Sequence, residues 1–150
     1  MGVIQASHTV EIDAPRERVY EVAADVANCA EWQPSVKSVK VLETDDEGNA
    51  TKVEMIADAK VKETKQRMRF SYDEPGGMEW EQEKGDVKSL NGSWNFTALD
   101  DDRTKATYDL RVDPGRMLGM LMRGPVEGQV KKFLSEGAAE GLKSQVEGSR

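Results

Sequence analysis

Residues 68–80 read MRFSYDEPGGMEW, and this stretch decides the fold. Met68, Phe70 and Tyr72 alternate with polar residues, and so do Met78 and Trp80 after the break. A period of two places each set on one face of a strand. Asp73-Glu74-Pro75-Gly76-Gly77 between them is turn chemistry, because Pro presets one dihedral and Gly accepts the unusual ones. Two strands joined by a tight turn are antiparallel.

The same grammar extends outward. Val39 and Val41 alternate before the turn Asp45 to Asn49, and Val53, Met55, Ala57 and Ala59 follow. The turn near Lys60 to Glu63 carries no Gly or Pro. Beyond Gly85-Asp86, Trp94 and Phe96 lead to Asp100-Asp101-Asp102, and Ala106, Tyr108, Leu110 and Val112 close the run. Upstream, His8, Val10 and Ile12 share one strand face. Asp13 is placed to cap a helix with Pro15 in its first turn and Val19, Tyr20, Val22, Ala23 and Val26 at helical spacing. A further helical turn around Ala30 and Glu31 ends before Pro34. Trp32 is expected to anchor the next strand. At the C-terminus Pro125 opens a long helix whose stripe is Val126, Val130, Phe133, Leu134, Ala138 and Leu142. Gly128, Gly137 and Gly141 lower its propensity by up to ~1 kcal/mol each, so packing on the sheet must hold it. With no repeats or linkers, residues 1–150 read as one α+β domain.

Composition narrows the function. A formal charge of −7 repels phosphate backbones and anionic membranes, which excludes nucleic acid and disfavours membrane docking. The apolar-rich stretch Met117 to Met122 is far too short to span a bilayer. The N-terminus lacks a basic segment followed by an apolar one, so no secretory signal is expected. Cys29 is the single cysteine, which forbids an intrachain disulfide and fits a cytoplasmic setting. One His and one Cys cannot supply a soft-metal site, and the acidic runs lack the calcium-loop spacing. No metal or cofactor is expected. His8 is read as a partly exposed histidine rather than a general base, because no charged partner is identifiable. Cys29 is read as structural. Tyr72 and Tyr108 could steer a polar ligand head or satisfy each other and the backbone.

The order of strand, two short helices, six strands and long helix resembles the START-like or Bet v 1-like (SRPBCC) helix-grip superfamily. It looks closest to the bacterial polyketide cyclase/dehydrase and lipid-transport branch. The resemblance rests on His8 to Pro15 with Val19 and Tyr20, on Glu31-Trp32-Gln33-Pro34 leading to Val39-Lys40-Val41, on Gly92-Ser93-Trp94, and on Gly141-Leu142-Lys143. It implies a seven-stranded curved antiparallel sheet around the long helix, with a cavity between them. Members use that cavity for lipids, sterols, quinones, polyketides or plant hormones. Some are enzymes, some carriers, and some act on protein partners.

Strand parity and the helix stripe together nominate the pocket. Met55, Met68, Phe70, Tyr72, Met78, Trp80, Trp94, Phe96, Tyr108 and Leu110 are expected on the sheet side. Val130, Phe133 and Leu134 are expected opposite. Met117, Met120 and Leu121 are expected at the mouth, in a mobile lid over residues 115–124 whose apolar stretch, Met117 to Met122, is flanked by Arg116 and Arg123. Methionine adapts to varied apolar shapes, which suits such a lining. The expected function is binding or carriage of a hydrophobic or amphipathic small molecule. The alternatives are a cyclase/aromatase-type enzyme and a protein-interaction module with an unidentified protein partner. Ten buried methylenes supply roughly 8 kcal/mol before binding costs, so such a site needs few polar groups and leaves no motif.

Overall fold

In the computed structural model, which describes residues 3–148, strand β1 (Ile4–Ile12) is followed by helix α1 (Arg16–Ala24) and a 3-10 turn (Val26–Glu31). Six strands come next: β2 (Val36–Thr44), β3 (Ala50–Asp58), β4 (Glu63–Asp73), β5 (Gly77–Gly85), β6 (Ser89–Asp100) and β7 (Arg103–Asp113). Two helices end the described chain, α2 (Gly115–Leu121) and α3 (Pro125–Gly148).

The strands form one antiparallel sheet in the order β1-β7-β6-β5-β4-β3-β2. Strands β2 to β7 pair with their sequence neighbours, as short turns require. Strand β1 instead pairs with β7, with Ile4 opposite Val112 and Ile12 opposite Thr104. Helix α1 and the 3-10 turn therefore carry the chain from one sheet edge to the other. Alternation along β4 is regular: Gln66, Met68 and Phe70 are buried and their neighbours exposed. One face is thus apolar and covered, the other charged and wet.

Local chemistry departs from the expected caps in one place. Asp13 does not cap α1; the helix starts at Arg16 behind Pro15, with no side-chain cap bond. The chain bends first through the Ala14 amide bonded to the Ile12 carbonyl, and the Arg18 and Val19 amides then donate to the Pro15 carbonyl. The Asp13 amide donates to Glu147 Oε2 at 2.8 Å and ties the start of the chain to α3. The turn between β3 and β4 works without glycine because Asp58 Oδ1 accepts from the Lys60 amide at 2.8 Å and Lys60 takes a φ of 70°.

Helix α3 buries Val130, Ser135, Ala138, Ala139, Leu142 and Val146. Its C-terminal half lies close to the segment between the 3-10 turn and β2. A Cβ on Gly141 would overlap the Trp32 carbonyl oxygen, and one on Gly137 would stand 3.6 Å from Pro34 Cγ. Small residues there let two backbones approach. Trp32 is buried beneath this contact, as its expected anchoring position requires.

Candidate functional site

Close approach at one end of α3 leaves space at the other. Toward its N-terminus the helix presents Val130 and Leu134, which stand over the inward side chains of the sheet. Between the two layers lies a cavity of about 130 Å³. An apolar cavity of ~150 Å³ holds one benzene, so the space as it stands suits a single ring.

Its sheet-side wall is a run of aromatic rings. Phe70 and Trp80 lie 5.8 Å apart, Trp80 and Tyr108 5.7 Å, and Tyr108 and Trp94 4.9 Å between centroids. Trp32 meets Trp94 at 6.2 Å from the 3-10 side. Gly92 makes this wall fit, because any Cβ there would run into the Trp80 ring. Met55, Met68 and Met78 also line this wall. The less buried wall residues include Ala57, Ala59, Val61, Lys62 and Thr64 from the β3–β4 region and Leu118, Met122 and Leu134 from the C-terminal helices and their junction. They mark the mouth. Beside it the Lys60 ammonium sits 4.6 Å from the centre of the Phe133 ring, a cation–π contact between the β3–β4 turn and α3.

The titratable groups among the described wall residues are Cys29, Lys62 and Tyr108. Burial pushes the Cys29 thiol up to about 12, with the negative Asp25 adding to it. Burial also raises the Tyr108 phenol, and the Gln33 side chain opposes this weakly through a long 3.5 Å hydrogen bond to the hydroxyl. Both groups are therefore neutral at physiological pH. Lys62 is exposed at the rim. The polar side chains in the wall include Gln33, Ser35, Thr64 and Gln66.

The structure brings Met55, Met68, Phe70, Met78, Trp80, Trp94, Tyr108, Leu110, Val130 and Leu134 together around this cavity. Other nominated residues stand elsewhere. Phe96 is buried beneath α1, edge-on to Tyr20 at 6.4 Å and stacked on Trp94 at 5.7 Å. Tyr72 stacks on Phe70 and donates its hydroxyl to the Ala50 carbonyl, outside the cavity wall. Phe133 turns aside from the Val130–Leu134 stripe toward Lys60. Met117, Met120 and Leu121 are corrected most sharply: they are 80%, 57% and 53% exposed and face away from the cavity. The segment is helical, and helical phase puts positions 117, 120 and 121 on one side and Leu118 and Met122 on the other. The latter two form the wall. His8 also stays outside it, with Nε2 3.5 Å from Glu140 Oε2 on α3.

Several wall residues escape the sequence reading, among them Cys29, Gln33 and Gln66, while Leu118 and Met122 are anticipated only as part of the 115–124 lid. For Gln66 a signal exists: it shares parity with Met68 and Phe70, but a glutamine at an inward position does not read as a lining residue.

The model of the family described as polyketide cyclase/dehydrase and lipid transport matches residues 12–136. The chain belongs to this family. The family and the helix-grip START fold together mark a ligand-binding domain of the START/polyketide-cyclase kind. Solved structures agree on the fold. A START superfamily protein from Mycobacterium smegmatis superposes with a TM-score of 0.84 at 21% identity, over 99% of this chain and 100% of that one. A protein from Thermus thermophilus gives 0.82 at 21% identity, over 97% and 98%. The Zhui aromatase/cyclase from a Streptomyces species gives 0.77 at 22% identity, over 97% and 94%. No curated protein matches the sequence significantly. No helix among the described residues is long and apolar enough to cross a membrane.

Proposed function

We propose that this family member binds and carries an apolar or amphipathic small molecule in the cavity under α3. The observation that supports this most is the wall itself. It is built from aromatic and methionine side chains, and its only titratable groups among the described residues are two raised acids and a rim lysine. Such a wall holds a ligand by burial and shape, and Met adapts to different shapes. A ligand longer than one ring would need the mouth to widen, and of the side chains there Leu118 sits on a short helix and Met122 caps its end, the helix being entered through Gly115 at a φ of 80° and followed by Gly124 at 67°. The reading includes a cytoplasmic setting, supported by the single, free and buried Cys29. It includes no nucleic-acid partner, in keeping with the charge of −7.

The test is native mass spectrometry of freshly purified protein, followed by titration with a fluorescent fatty-acid probe and with toluene. A co-purified small molecule, or saturable binding that raises the melting temperature, is expected. Ligand at 100 times its Kd adds about 2.7 kcal/mol of stability. Absence of any bound species, with no thermal shift from either probe, overturns the reading.

A second reading, cyclisation of a poly-β-ketone chain, draws on the family description and on Tyr108, a neutral phenol buried in the wall that could donate a hydrogen bond to a carbonyl. Turnover of an aromatic-forming polyketide thioester that stops in Tyr108→Phe would favour it over carriage.

A further inference from the structure

Gln66 is 3% exposed, and its Oε1 atom is buried with no hydrogen-bond partner. Its Nε2 donates to Thr64 Oγ1 at 2.6 Å, so the amide is held at one end and idle at the other. Parity on β4 aims the side chain inward with Met68 and Phe70, and it forms part of the cavity wall. Across the sheet Gln82 stands opposite Met68, and its Oε1 is equally unpartnered while its Nε2 donates to the Val87 carbonyl at 2.9 Å. Buried polar atoms are seldom left without partners, because they have given up water for nothing. A mostly apolar wall that keeps such an atom in place has a use for it.

We propose that Gln66 is the specificity-determining residue of the cavity, and that the ligand it selects is a ring-sized apolar molecule bearing a hydroxyl. This rests on the ligand-binding reading above and deepens it. The hydroxyl donates to Oε1. If the amide turns end for end, Thr64 donates to Oε1 and Nε2 needs an acceptor, which the same hydroxyl supplies. A hydrocarbon satisfies neither arrangement, and a carbonyl satisfies only the second. Tyr108 is not left idle in this way, since its oxygen already receives Gln33. The cavity volume of about 130 Å³ limits the buried part to one ring.

The experiment is calorimetric titration of the purified protein with p-cresol and with toluene, which differ by one hydroxyl. It is repeated on Gln66→Leu and Gln66→Met, two near-isosteric variants. Wild type is expected to bind both. Each variant is expected to lose at least about tenfold in p-cresol affinity and to keep toluene within about twofold. Retained toluene binding shows that the variant cavity is intact. Equal losses of both ligands, or no loss of either, overturn the assignment of Gln66. Failure of wild type to bind either ligand overturns the cavity reading itself.

Discussion

Two glycines in α3 carry opposite consequences for the same substitution. Alanine in a helix interior is favoured over glycine by up to ~1 kcal/mol. At Gly128 an added Cβ meets nothing within 4 Å, so Gly128→Ala is expected to raise stability by about 0.5–1 kcal/mol. At Gly141 the added Cβ would overlap the Trp32 carbonyl oxygen, which is backbone and cannot swing aside. Overpacking of this kind typically costs about 1–3 kcal/mol and outweighs the propensity gain. Gly141→Ala is therefore expected to lower stability by about 1–3 kcal/mol, with the α3–Trp32 contact prised apart. Urea denaturation of the two variants checks both signs. Equal effects would mean that the close approach at Gly141 relaxes freely.

At the scale of elements, α2 has two faces with different work. Leu118 and Met122 face the cavity, while Met117 and Met120 face solvent. Leu118→Ser is expected to weaken binding of the fatty-acid probe on the order of tenfold, from the apolar contact removed. Met117→Ser and Met120→Ser are expected to leave it within about twofold. Amides over residues 115–124 are further expected to exchange faster than those of the strands and to slow when probe binds, as a lid would. Probe-independent exchange there would make α2 a fixed wall. The contrast also shows what the sequence makes legible. Strands β4 and β5 are readable because a period of two survives any neighbour and Pro-Gly-Gly marks their turn. Helix α3 is readable because its stripe runs for many turns. Seven residues of α2 are too few to fix a phase, so Met117, Met120 and Leu121 read as pocket residues when they face away from it. The β3–β4 turn hides its signal in Asp58, whose side chain does the work of a glycine. Gln66 escapes a reading of the sequence because burial of a polar group is a tertiary fact.

For the molecule as a whole, the buried acids set an alkaline limit. The Cys29 thiol moves from 9.0 to about 12, and burial raises the phenols of Tyr72 and Tyr108 as well. A group whose folded pKa lies above its unfolded value stabilises fully below the unfolded pKa and less as pH rises toward the folded one. Melting temperature is thus expected to hold steady up to about pH 9 and to fall progressively above it. Cys29→Ala, whatever it costs at neutral pH, is expected to flatten the first part of that fall. An unchanged profile would assign the limit to the tyrosines or to surface charge. The sheet order has a consequence of a different kind. Strands β2 to β7 close hairpin by hairpin, each contact spanning few residues, so this meander can assemble early and locally. Strand β1, made before the others, has its partner more than ninety residues further along, since Ile4 waits for Val112 and Ile12 for Thr104. The N-terminal strand is then a late joiner during synthesis, and until β7 emerges its apolar residues Ile4, Ala6, Val10 and Ile12 have no sheet to enter.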